Sequence, residues 1–236
     1  MNASSDFQQF VQSAEKLCTQ GKWSEARQAY TEACRTRPDV AAAWCNLGAV
    51  AFLLKRFAEA EDNYREALKR DPDLTEARLG LARCFLAEKD WEQTLASLPS
   101  AAPDSSAPRH GEWHYLNGIA REGLGDIEGA EASLRTAVQA GHLPAQCVWP
   151  RFLLRHRSAR KALEACFALS PHAKIRWPFV QLCLEQDPDP PRVAECASQL
   201  FLDSHQIAYA VRTAVRAGDP GDSLNTPTTA LLQAWL

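Results

Sequence analysis

Apolar side chains recur at spacings of three and four residues through the first hundred positions, the spacing that lines one face of an α-helix. From Phe7, the marks Phe10, Ala14 and Leu17 are followed, beyond Gly21 to Trp23, by Ala26, Tyr30 and Ala33, and Pro38 ends the run. From Ala41, Trp44, Leu47, Gly48, Phe57, Ala60, Tyr64, Ala67 and Pro72 stand at corresponding places, so the pattern repeats with a period of 34 residues. Each period predicts two helices joined by a short turn, at 21–23 in the first copy and 55–57 in the second, with proline blocking continuation of the second helix. A lone hairpin leaves its apolar stripes in water, so hairpins of this kind stack. Small residues at positions 8 and 20 of each unit let paired backbones approach, and large ones at positions 4, 11 and 24 fill the space between neighbouring hairpins.

The segment WCNLGAVAFLLKRFAEAEDNYREALKRDPD resembles the tetratricopeptide repeat family, carrying nearly every mark of that pattern in order; Ala51 alone replaces a large aromatic. A third unit from Thr75 places Leu81, Ala82, Phe85, Trp91 and Leu98, and its second helix is cut short. Pro99, Pro103 and Pro108, with the intervening Ser and Ala, predict an extended loop at 99–110. A degenerate fourth unit from Gly111 carries His114, Gly118, Arg121, Ile127, Ala130, Leu134 and Ala137, with Gly125 in its turn. From Ala145 the period fails, but helical periodicity continues at about 145–156, 159–169, 173–186, 191–201 and 204–217. Thr226 and Pro227 then start a last helix whose apolar stripe is Leu231, Leu232, Trp235 and Leu236. The expected fold is all-α, a right-handed superhelix of antiparallel helix pairs. It divides into three units over 1–110, a degenerate fourth over 111–143, and irregular hairpins with a C-terminal helix over 144–236 in the same solenoid.

The resemblance implies a binding surface on the concave side, lined by positions 2, 5, 9 and 12 of each first helix. Carried over, these are Gln8, Val11, Glu15 and Cys18; Ala42, Cys45, Ala49 and Phe52; Glu76, Leu79, Arg83 and Leu86; and Glu112, Tyr115, Ile119 and Glu122. The stripe is mostly apolar. The family's chaperone-binding subclass holds a terminal carboxylate with a Lys and Asn in the first unit and a Lys and Arg in the third; here Val11, Glu15, Glu76 and Gly80 stand there, so that clamp is missing. Asn46 alone matches the clamp, at a place suited to holding a peptide backbone or a local helix hydrogen bond.

Composition narrows the function. Lys and Arg total 26 against 29 Asp and Glu, a net charge of -3, so the whole chain lacks the electrostatic footprint of a nucleic-acid binder. The start MNASSDFQQF carries an acid and no basic stretch, and no run of about 20 apolar residues occurs, so a cytoplasmic protein with no membrane span is expected. The eight cysteines lie at least 11 residues apart with no CxxC, which argues for free thiols filling helix faces rather than zinc or a disulfide scaffold. No phosphate-binding, dinucleotide, nucleophile-elbow or zinc-protease motif is present, so neither catalysis nor a cofactor is expected. His110 and His114 are spaced to share a helix face, but no third ligand is fixed nearby, and no metal is expected. Residues 109–180 hold 10 Lys and Arg against 6 Asp and Glu, and Arg151 and Arg155 form a candidate anion fork within RFLLRHRSARK. A solvated basic face is the alternative.

These features predict a non-catalytic module, an adaptor or scaffold, that takes an apolar or amphipathic segment of a partner protein into its groove. Two other readings share the fold: a recruiting or assembly domain of a larger enzyme, such as a glycosyltransferase or methyltransferase, and a scaffold that assembles as a homo-oligomer.

Overall fold

The structure, a computed structural model, describes residues 3–169 of the 236-residue chain. The chain divides into two compact units, Met1–His142 and Leu143–Leu236. The described residues form ten helices and no strand. In the first unit these are α1 (Ala3–Thr19), α2 (Trp23–Thr36), α3 (Ala41–Leu53), α4 (Phe57–Arg70), α5 (Thr75–Ala87), α6 (Trp91–Ser97), α7 (His110–Gly123) and α8 (Ile127–Gln139). Consecutive helices pair as hairpins, and each hairpin stacks on the next through α2 on α3, α4 on α5 and α6 on α7. The first unit is therefore an all-α solenoid of helix pairs.

One turn geometry recurs in every hairpin of the first unit. Gly21, Lys55, Lys89 and Gly125 each follow a first helix with φ of 72°, 59°, 61° and 83°. At each, the amide donates back three residues and the next amide donates back five, as in Gly21 N to Cys18 O (3.0 Å) and Lys22 N to Leu17 O (3.0 Å). That paired bonding satisfies carbonyls the helix end would otherwise leave open. Asp90 and Asp126 then cap α6 and α8, accepting from the Gln93 and Gly129 amides at 3.0 Å.

The core follows the repeat. Ala14, Gly48, Ala82 and Gly118 are all buried at position 8, and Ala26, Ala60, Thr94 and Ala130 at position 20. Thr94 is tolerated there because its hydroxyl donates to the Asp90 carbonyl at 2.7 Å, leaving no unmet polar group. At position 24 Tyr30, Tyr64, Leu98 and Leu134 are buried, each contributing on the order of 1.5–3 kcal/mol of hydrophobic stabilisation. Tyr64 is wedged between α3 and α5: a Cβ built on Gly80 would lie 2.3 Å from its Cζ, and one on Gly48 3.0 Å from its ring. Glycine is therefore required where the tyrosine crosses.

A second recurring device joins neighbouring units. Trp44 Nε1 donates to the Pro38 carbonyl at 3.0 Å, and Arg78 Nε to the Pro72 carbonyl at 2.9 Å, so position 4 of one unit ties down the proline that ends the unit before. Arg70 reinforces the first tie, donating to Pro38 O and lying 4.7 Å above the Trp44 ring.

Of the second unit, α9 (Leu143–His156) and α10 (Ala159–Leu169) pack together around Phe152, Leu153, Ala162, Leu163 and Cys166. Trp149 stacks on Phe152 at 5.8 Å with planes 8° apart. The helices expected at 173–186, 191–201 and 204–217, and the final helix beginning near Thr226, lie outside the described residues.

Candidate protein-binding surface

The first helices of the hairpins form a continuous wall: α3 touches α5, α5 touches α7, and α1 shares an apolar cluster with α3 through Val11, Ala14, Ala43, Leu47 and Val50. Side chains one helical turn apart on these helices point to the same face. On that face Val11, Ala49, Phe52, Leu86, Tyr115, Ile119 and Glu122 are half-buried, while Glu15 and Asn46 are exposed. Apolar groups thus reach the surface in a row that crosses four hairpins.

Two residues expected in the row are sealed beneath it. Leu79 is 0% exposed, in a cluster with Ala82, Leu98 and Leu116 against which Trp113 and Tyr115 of α7 pack. Cys45 is buried in the cluster around Tyr64 and Phe85. Neither side chain can touch a docked segment without repacking. Burial pushes the Cys45 thiol up to about 11, with Glu76 adding to the shift and Arg83 and Arg109 opposing it. Burial and Glu15 likewise raise Cys18. Both shifts favour the protonated thiol at neutral pH.

The polar heart of the surface lies where α5 meets α7. The Arg83 guanidinium sits 5.7 Å over the Phe52 ring, and its Nε is 3.2 Å from Glu112 Oε1. Glu112 is bound more closely by Arg109, at 2.8 Å. The Arg83 Nε is shielded from water yet makes no aligned hydrogen bond, so its contact with Glu112 is electrostatic only. Arg109 precedes α7 and falls on none of the four stripe positions, so the groove pattern did not reveal it; its signal was the three-residue spacing to Glu112 at a helix start.

Arg151 and Arg155 are exposed one turn apart on α9, but Arg155 already interacts with a neighbouring group, and Trp149 and Phe152 are buried in the core. No aromatic from that pair is free to stack on a base. The His110 and His114 rings meet edge to face at 4.6 Å, and His110 Nδ1 donates to the Pro103 carbonyl at 2.8 Å. Among the described residues no group of three or more His, Cys, Asp or Glu is placed to hold a metal ion. Nor is any described helix long and apolar enough to cross a membrane. The six cysteines described, Cys18, Cys34, Cys45, Cys84, Cys147 and Cys166, are all free thiols.

Stacked helical hairpins with this register define a repeat protein of the tetratricopeptide class. Family models described as "Tetratricopeptide repeat" match residues 14–74 and 51–111, and this span of the chain is built of repeats of that family. None of the curated proteins matches it in sequence. Among solved structures, it is similar to PilF of Pseudomonas aeruginosa at 14% identity and TM-score 0.62, covering 98% of each chain. MamA 41-end from Desulfovibrio magneticus RS-1 aligns at 17% identity and TM-score 0.60, over 70% of this chain and 93% of the other. YrrB, described as a TPR protein with an unusual peptide-binding site, aligns at 17% identity and TM-score 0.52, over 81% of this chain and 98% of the other. At these identities the likeness is one of fold.

Proposed function

We propose that the first unit is a non-catalytic protein-interaction module that takes an apolar or amphipathic segment of a partner protein along the wall formed by α1, α3, α5 and α7. The observation that carries this reading is the row of half-buried apolar groups, Val11, Ala49, Phe52, Leu86, Tyr115 and Ile119, at the first-helix positions of successive hairpins. Their counterparts in a closed core would be covered; here they retain surface to offer. Exposed Asn46 stands beside them with an amide able both to donate to and accept from an extended backbone. The peptide-binding site in the name of YrrB is consistent with such a use of the fold.

Phe52→Glu tests the proposal. Phe52 is only partly buried, so the variant keeps its helicity and melting temperature close to the parent while losing the partner captured by the parent protein. A partner that binds Phe52→Glu as tightly as the parent refutes this surface. Leu79→Glu is unsuitable as a companion because it places a carboxylate in a fully buried site and unfolds the stack.

A further inference from the structure

We propose, resting on the reading above, that Arg83 anchors an acidic side chain carried within the partner's apolar segment. Three features of the guanidinium point to this. First, it is the one cation at positions 2, 5, 9 and 12 of the four first helices, a row that otherwise offers apolar groups, carboxylates and the Gln8 amide. Second, it is already positioned, with its Cζ 5.7 Å from the centre of the Phe52 ring and its Nε 3.2 Å from Glu112, so less side-chain freedom is lost on binding. Third, it is incompletely used: its Nε is buried without an aligned hydrogen bond, and the nearby carboxylate of Glu112 is bound more closely, at 2.8 Å, by Arg109.

Arg83, Arg109 and Glu112 together carry one surplus positive charge. The Arg83 side chain keeps about a third of its surface exposed, so an incoming carboxylate can take bonds from its terminal nitrogens while Arg109 keeps Glu112 neutralised. On α5 and its C-cap the competing carboxylates are Glu76 and Glu88, seven and five residues from Arg83, roughly 10 and 7.5 Å along the helix.

The anchor is an internal side chain rather than a chain end because apolar surface continues on both sides of Arg83. Ala49 and Phe52 lie on α3, and Tyr115 and Ile119 on α7, so a segment seated on Arg83 runs on in both directions.

A phage-displayed library of random twelve-residue peptides, selected against the intact chain, reads the preference directly. The expected result is enrichment of Asp or Glu flanked by apolar residues. Synthetic copies of the enriched peptides, capped at both ends, should bind about tenfold more tightly than their Asn or Gln counterparts. Arg83→Gln should abolish that difference, and Arg83→Glu should redirect enrichment to Lys or Arg; circular dichroism of both variants should match the parent. Enriched apolar peptides with no acidic preference, or one that survives Arg83→Gln, overturn the anchor and leave the groove intact. Binding that requires a free terminal carboxylate overturns the internal anchor. Failure to enrich any peptide that loses binding to Phe52→Glu overturns the groove and the anchor with it.

Discussion

Lys55 and Lys89 hold the left-handed backbone that glycine holds at Gly21 and Gly125, with φ of 59° and 61°. A residue bearing a Cβ gives up about 1–2 kcal/mol in that conformation, and replacement by glycine returns about 0.5–1 kcal/mol of it as unfolded-state entropy. Lys55→Gly and Lys89→Gly should therefore each stabilise the protein by about 0.5–1 kcal/mol, seen as a higher denaturation midpoint with unchanged m-value. Gly80→Ala should do the reverse, by about 1–3 kcal/mol, since its methyl would press on the Tyr64 ring. The sequence made Ala26, Ala60 and Tyr64 legible as packing positions because their sizes recur with the period. It did not separate Leu79 and Cys45 from the row above them. Register places a side chain on a face, but the tilt of the next hairpin decides whether that face is covered, and no residue-level signal reports the tilt.

Between elements, the informative segment is the one that breaks the period. The proline-rich stretch after α6 was legible as an interruption, and the structure gives it anchors. Trp113 Nε1 donates to Pro99 O at 3.1 Å and His110 Nδ1 to Pro103 O at 2.8 Å, so α7 holds the strap by two N–H bonds. The same logic, a first-helix N–H reaching a proline carbonyl, operates from Trp44 and Arg78. Sequence periodicity missed it because Trp, Arg and His share a donor and not a hydropathy. Trp113→Phe should cost about 1 kcal/mol and raise amide exchange across residues 99–109. Two histidines in contact with α7 residues, His114 and His142, add a pH dependence. Burial, and secondarily the nearby His110, hold His114 below the ordinary histidine value; burial does the same to His142, with Glu112 opposing. As pH falls below about 6.5 the unfolded chain protonates first, so it binds more protons than the fold and stability declines. The decline continues until pH passes the folded values, then levels. Thermal midpoints taken from pH 8 to pH 5 should fall on the acid side, and His114→Leu should flatten that fall.

For the molecule as a whole, the question is what makes the solenoid one cooperative object. Its apolar clusters cross hairpin boundaries: Tyr64 of α4 lies with Cys45 of α3 and with Ala77, Cys84 and Phe85 of α5, so no hairpin owns a complete core. The Arg27–Glu59 ion pair at 2.9 Å bridges α2 to α4 in the same sense. Ala60→Glu would leave a carboxylate in a site with 0% exposure shared by neighbouring hairpins, and should remove about 4 kcal/mol or more of stability. The loss should spread through the stack, as coincident decay of helical signal and tyrosine environment in one transition. Phe52→Glu, on the surface, should leave that transition in place. By the same reasoning the four hairpins of residues 1–142 hold enough mutual contacts to stand as a unit, since at least three stacked repeats are needed to bury a continuous core. A fragment ending at His142 should be helical, melt in a single transition and retain the peptide preference set by Arg83. A fragment that is molten, or that folds but loses the preference, would place an essential part of the binding unit beyond residue 142.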